Sequence, residues 1–243
     1  MPLDSRALED FYDSRIGQVA RRLIARRLRL LCPDLSGQSL LGFGYALPYV
    51  KSFGETERAV AAQPSEEGPR PCANGKGRTA LVLEDALPFP DASFDCVLLV
   101  HGLEVSESQR PFLRELWRVL TGSGRLIVVV PNRTSLWAQL ETTPFGQGRP
   151  YTRHQLGQLL EQSLFAAERW DSALFMPPFG KRRSIRSGDA WERFGHSMWP
   201  RLAGVHIVEA TKSLYTVAPV KGLRRTALKP ALANPAQKRI TAK

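Results

Sequence analysis

Two short apolar runs constrain this chain more than anything else in it: FDCVLLV at 94–100 and RLIVVVP at 125–131. Neither alternates polar with apolar, so a strand made from either is covered on both faces, as in parallel sheets. Parallel neighbours need a crossover, usually a helix. The stretch between them supplies one, because Phe112, Leu113, Leu116, Trp117 and Leu120 of ESQRPFLRELWRVL recur at helical spacing. Gly122 and Gly124 are placed to stop that helix. A unit of this kind predicts a mostly parallel sheet with helices on both faces.

The rest of the chain fits the same plan. SRALEDFYDSRIGQVARRLIARRLRLL carries apolar residues on one face and arginines on the other. It reads as one amphipathic helix, or two broken near Asp13-Ser14. A strand at Ser39–Phe43, a short helix at Leu47–Phe53 and a strand at Glu57–Ala62 follow. Pro64–Arg78 is a Gly/Pro-rich loop, TALVLE a strand and LPFPDAS a turn. Thr152-x-x-Gln155 is a capping box opening a helix. FAAERWDSALFM and VHIVEATKSLYTVAP are the last two strands, a hairpin-like pair. In the insert between them, Trp191, Phe194, Met198, Trp199 and Leu202 share a helical face, expected to pack on the sheet. The expected organisation is an N-terminal helical segment (1–38), an α/β domain (39–220) and a tail (221–243).

Composition narrows the setting. At 43% hydrophobic and 23% charged, the chain has a soluble globular balance. No apolar run is long enough to span a bilayer, and MPLDSRALED has no apolar core of a secretory signal. Three cysteines without a CxxC argue against a disulfide framework or a metal site and point to a reducing cytoplasm. Residues 221–243 hold seven Lys/Arg and no Asp/Glu, so seven of the eleven surplus positive charges lie there. Such a tail is expected to be disordered, with screened attraction for nucleic acid or anionic surfaces; a solvated, solubilising tail is the plainer alternative.

The candidate ligand loop is LLGFGYALPY, residues 40–49. Gly42 and Gly44 let backbone approach a ligand closely, though a tight turn without ligand reads the same way. Its context is more specific. LPFPDASFD at 87–95, RELWRVL at 114–120, GSG at 122–124 and RLIVVVPN at 125–132 follow in order. In this the chain resembles the class I S-adenosylmethionine-dependent methyltransferases, and among them the methyltransferase type 11 group, over roughly residues 39–132.

The resemblance implies a Rossmann-like, doubly wound α/β sheet of seven strands, the last antiparallel. It implies S-adenosylmethionine as cofactor and direct in-line methyl transfer to an unidentified acceptor. Gly42, Gly44, Tyr45 and Ala46 would line the methionine and ribose side. Gln63 falls where a ribose-binding acid is usual. Glu84, Asp85, Ala86 and Leu87 would lie near the adenine. His101, ending the next strand, would face the cleft as cofactor contact and candidate base, and Tyr12 is a candidate lid. Leu40, Ala46 and Gln63 depart from the family pattern. They keep open a fold retained as a binding or regulatory module, and the basic tail keeps open an RNA-modifying enzyme.

Overall fold

The computed structural model describes residues 5–32, 34–50, 53, 56–64, 70–71, 79–178, 191–192, 195, 198–199 and 202–213. Helices α1 (Ser5–Asp13) and α2 (Arg15–Leu31) precede β1 (Ser39–Gly44), α3 (Leu47–Val50) and β2 (Arg58–Pro64). A two-residue β3 (Arg70–Pro71) and β4 (Thr79–Val82) come next, then β5 (Phe94–Val100), α4 (Gln109–Val119) and β6 (Leu120–Pro131). α5 (Arg153–Gln162), β7 (Phe165–Ala173) and β8 (Val205–Lys212) complete the order. All strands join one sheet, β3-β4-β2-β1-β5-β6-β8-β7. β4, β2, β1, β5 and β6 run parallel, and β8 is antiparallel between β6 and β7. The seven main strands are those expected. β3 adds an antiparallel edge inside the stretch read as a loop.

Alternation along the central strands explains the apolar runs. Cys96, Leu98 and Val100 of β5 face one core with Leu40, Ile127, Val129 and Ile207, under α2 residues Leu23, Ile24 and Leu28. Val97 and Leu99 face the other core with Leu41, Phe43, Val128 and Val130, under Phe112, Leu113 and Leu116 of α4. Each fully buried Val or Leu contributes about 1.5–3 kcal/mol, so either face losing its helix would strand several such residues in water. Segment 1–38 therefore shares its core with the sheet.

The N-terminal helix is broken where the sequence allowed. Ser14 caps α2 through Gly17 N, and its hydroxyl donates to Phe11 O at 2.5 Å. A Cβ on Gly17 would stand 2.0 Å from Phe11 O, so glycine lets the two helices meet at a corner. The capping box at Thr152 and Gln155 is formed in both directions.

Three expectations need correction. Gly122 and Gly124 do not stop a helix: α4 ends at Val119, and both glycines lie inside β6. There β5 and β6 slip register between Phe94–Leu120 and Cys96–Arg125, and a Cβ on Gly124 would come 2.9 Å from Thr121 O. The glycines accommodate a bulge. The helix after β1 is described over Leu47–Val50, and Phe53, expected as its last residue, lies outside it. Trp191, Met198, Trp199 and Leu202 are 38%, 56%, 50% and 53% exposed, because other helices already cover both sheet faces. Phe194 and residues 221–243 lie outside the described residues. No described helix is long and apolar enough to cross a membrane.

Candidate active site

The carboxyl ends of the parallel strands gather most of the residues singled out from sequence. β1 ends at Gly44, whose φ is +70°. A Cβ there would lie 2.3 Å from Val100 O, so only glycine fits. The turn is pinned to β5 by Tyr45 N donating to Val100 O at 2.7 Å. Ala46 is buried, and a Cβ on Gly42 would sit 2.9 Å from its methyl. The first glycine thus makes room for alanine where the family pattern has a third glycine. Leu40 packs fully buried beneath α2; an acid there would need a partner or remain costly.

Gln63 follows the Phe43–Ala62 pair, which sets it level with Gly44, half-buried and able to donate and accept. Beyond β4 a tight turn closes by a Leu83–Ala86 bridge. Glu84 on this turn accepts from Ser106 Oγ at 2.5 Å. Burial pushes its carboxyl above the usual range, with the Ser106 bond opposing. Asp85 and Ala86 are exposed. Leu87 is turned elsewhere: its N–H donates to Glu115 and its carbonyl accepts from Arg118.

The last two bonds belong to a clasp that explains the order LPFPD…RELWR without ligand chemistry. Arg118 donates to Leu87 O, Phe89 O, Asp91 and Glu115 at 2.7–3.0 Å. The guanidinium beside Glu115 holds that carboxyl below its ordinary value. Asp95 accepts from Ser39 N and Thr121 Oγ1. The Arg118 group fixes the turn before β5 onto α4, and Asp95 ties β5 to the starts of β1 and β6, which gives Asp91 and Asp95 structural roles.

A second polar cluster is buried at the β5 end. His101 has φ +52°, a left-handed backbone outside any strand. Its Nδ1 donates to Glu104 Oε1 at 2.8 Å, and Tyr12 Oη donates to its Nε2 at 2.8 Å. The carboxylate can only accept, so Nδ1 carries a proton; in the neutral imidazole Nε2 is then the acceptor of the Tyr12 hydroxyl. Tyr12 stacks on Tyr45 with centroids 4.3 Å apart and planes 11° from parallel. Phe145 lies 5.0 Å from the His101 ring, and Trp137 and Phe11 pack on Phe145 at 5.1 and 5.8 Å. Burial, then the neighbouring Tyr49, pushes the Tyr12 phenol well above its ordinary value.

Glu104 is held from the roof of the site, where Arg149 N donates to its carbonyl at 2.8 Å. Its Oε2 is buried with no hydrogen-bond partner. An orphaned buried carboxylate oxygen costs stability and calls for a reason. His101 is therefore not open to a cleft as expected; it is covered by Tyr12, which is itself fully buried. Sequence reading did not single out Glu104, Trp137 or Phe145. The His-x-x-Glu spacing offered a signal for the first, but the loop supplying the other two has no periodicity to read.

Comparison with known proteins agrees with the sheet order. Residues 41–128 match the family model described as "Methyltransferase domain". Over that segment the chain is similar to methyltransferases, and its fold is one that S-adenosylmethionine-dependent methyltransferases share. In overall fold it is similar to a SAM-dependent methyltransferase of Thermotoga maritima, with TM-score 0.56, 18% identity, and 84% of this chain and 94% of that one covered. It is also similar to the [4+2]-cyclase SpnF, with TM-score 0.51, 19% identity, and 82% and 84% covered. A ubiquinone/menaquinone biosynthesis C-methyltransferase of Hahella chejuensis is 51% identical over 45 residues. That match spans 18% of this chain and 18% of the length of the relative.

Proposed function

We propose that the chain is an S-adenosylmethionine-dependent methyltransferase acting on an acceptor that must lose a proton, with His101 as general base and Glu104 orienting it. One observation carries this: an imidazole whose Nδ1–H is fixed on a buried carboxylate presents a free-base Nε2 to an oxygen, beside the glycine turn. The residues at the edge fit the cofactor. Gly42 and Gly44 give close backbone approach, Tyr45 and Ala46 flank them, and Gln63 can bond vicinal hydroxyls. Glu84, Asp85 and Ala86 edge the adenine side; Leu87 contributes its buried side chain alone.

When bound, the cofactor supplies an electrophilic methyl group on a sulfonium. The protein holds the acceptor atom in line and excludes water, which supplies most of the rate. His101 takes the acceptor proton, and Glu104 stabilises the resulting imidazolium through Nδ1–H. A reducing, cytoplasmic setting suits Cys32 and Cys96, two buried free thiols.

Two other readings have an observation each. Tyr12 fills the space against Tyr45, and the cyclase likeness shows this fold in a protein named for other chemistry; both favour a binding module or a different reaction. The tail of seven positive charges favours an RNA substrate. A labelled-methyl assay separates them, offering phenols, carboxylic acids, amines and RNA to the wild type and His101→Asn. Transfer to a small protic acceptor, lost in His101→Asn, supports the reading. Transfer to RNA alone, weakened by salt and by deleting 221–243, supports the RNA enzyme. A folded chain that binds the cofactor and methylates none of these classes overturns the proposed base.

A further inference from the structure

We infer that Tyr12 occupies the acceptor's place, and that the acceptor is a flat aromatic hydroxyl compound, a phenol, which enters when α1 swings out about the Ser14 corner. This rests on the proposed function above and names its substrate class.

The Tyr12 side chain is fully buried. Its ring lies flat on Tyr45, its edges meet Phe11 and Phe145, and its hydroxyl donates to His101 Nε2. The slot is thus shaped for one planar ring carrying an O–H at its inner end. Nε2 is the atom a general base would use, and here it is hydrogen-bonded to a phenolic hydroxyl at 2.8 Å. At the same place Glu104 Oε2 is buried without a partner, behind the imidazole that would become cationic. The tyrosine also stands on the right element. α1 is a nine-residue helix joined to α2 by the Ser14 cap and the Gly17 contact, so the break is already made.

The step balances without any further reactant than the cofactor class named above. The acceptor O–H bond breaks as its proton passes to His101 Nε2. The oxygen forms a bond to the methyl carbon while the methyl–sulfur bond breaks, its electron pair remaining on sulfur. The products are an aryl methyl ether and S-adenosylhomocysteine, and the imidazolium releases its proton to water. In the closed state Tyr12 competes with the acceptor, so apparent affinity falls by the fraction of open molecules.

The test uses the full chain and p-cresol, the side chain of tyrosine as a free molecule, with toluene as the analogue lacking the hydroxyl. Tyr12→Ala should bind p-cresol at least tenfold more tightly than the wild type does, read by Trp fluorescence without cofactor. It should prefer p-cresol to toluene by tenfold or more, since a site built for O–H rejects the analogue without it. With S-adenosylmethionine it should yield 4-methylanisole, and Tyr12→Ala/His101→Asn should yield at least 100-fold less. Binding of cofactor and p-cresol without any ether formed would overturn this inference and leave the methyltransferase reading standing. Failure of the wild type to bind S-adenosylmethionine in calorimetry would instead strike the underlying reading. Should Tyr12→Ala not fold, Tyr12→Phe keeps the packing and removes the latch bond. It should lower the wild-type KM for p-cresol at least threefold, and an unchanged or raised KM would overturn the inference.

Discussion

Two polar clusters, each centred on one basic side chain and its carboxylates, sit 17 residues apart in sequence and serve opposite ends. The Arg118 clasp is partly exposed and saturated: its carboxylates and carbonyls lie within bonding range of one guanidinium. The Tyr12–His101–Glu104 chain is buried and left incomplete, with an oxygen unpaired. On the proposed function the first cluster carries structure and the second carries chemistry, and mutation should separate them.

The largest effect should come from the relay. His101→Asn tolerates the left-handed backbone and should lower methyl transfer to p-cresol by about 10²–10⁴-fold in the folded fraction, with some loss of thermal midpoint because Tyr12 and Glu104 lose their shared partner. Transfer kept within tenfold would break the comparison at its centre. Glu104→Gln keeps the shape and removes the charge. It should reduce transfer about 10–100-fold, while unfolding free energy stays level or rises, since a buried uncompensated carboxylate is removed.

A stability effect of similar rank lies outside both clusters. His206 is buried on β8 with Nε2 unpaired, and burial together with Arg153 lowers its pKa to about 4. Its ordinary value is near 6.5. Between those values the unfolded chain binds a proton that the folded chain does not, so stability rises with pH there and is lost as pH falls from about 6.5 to about 4. The loss is on the order of 3 kcal/mol. Urea unfolding at a series of pH values should show it, and His206→Gln should flatten that window.

Arg118→Met should cost on the order of 1–3 kcal/mol, as partly exposed charge-assisted bonds do, and leave cofactor affinity within a few-fold. Asp91→Asn should cost under about 1 kcal/mol, because that carboxylate is 77% exposed. If Arg118→Met abolished transfer while the fold remained, the clasp would belong to the active site after all.

The fold was largely legible because its signals are local. Unbroken apolar runs at β5 and β6, amphipathic spacing in α4 and the capping box of α5 each follow from neighbours in sequence. Local reading failed where a residue's role depends on a distant partner. Gly122 and Gly124 look like a helix stop until Phe94 and Cys96 are seen to set the register beside them. β3 exists through its pairing with β4 and carries no strand pattern in two residues. The candidate site divides in the same way. Gly42, Gly44 and Ala46 were readable from the loop, and Leu40 and Ala46 prove to be packing solutions. The tie between Tyr12 and His101, 89 residues apart, could not be read from either position, and Glu104 gained meaning only once that tie was visible.

The most direct test of the central claim is a calorimetric titration of the full-length wild type with S-adenosylhomocysteine. The account predicts one site of micromolar affinity, matched by a rise in thermal midpoint when ligand is in excess. A well-folded chain that takes up no heat at millimolar ligand would contradict it, leaving a methyltransferase fold that no longer holds the cofactor of its family.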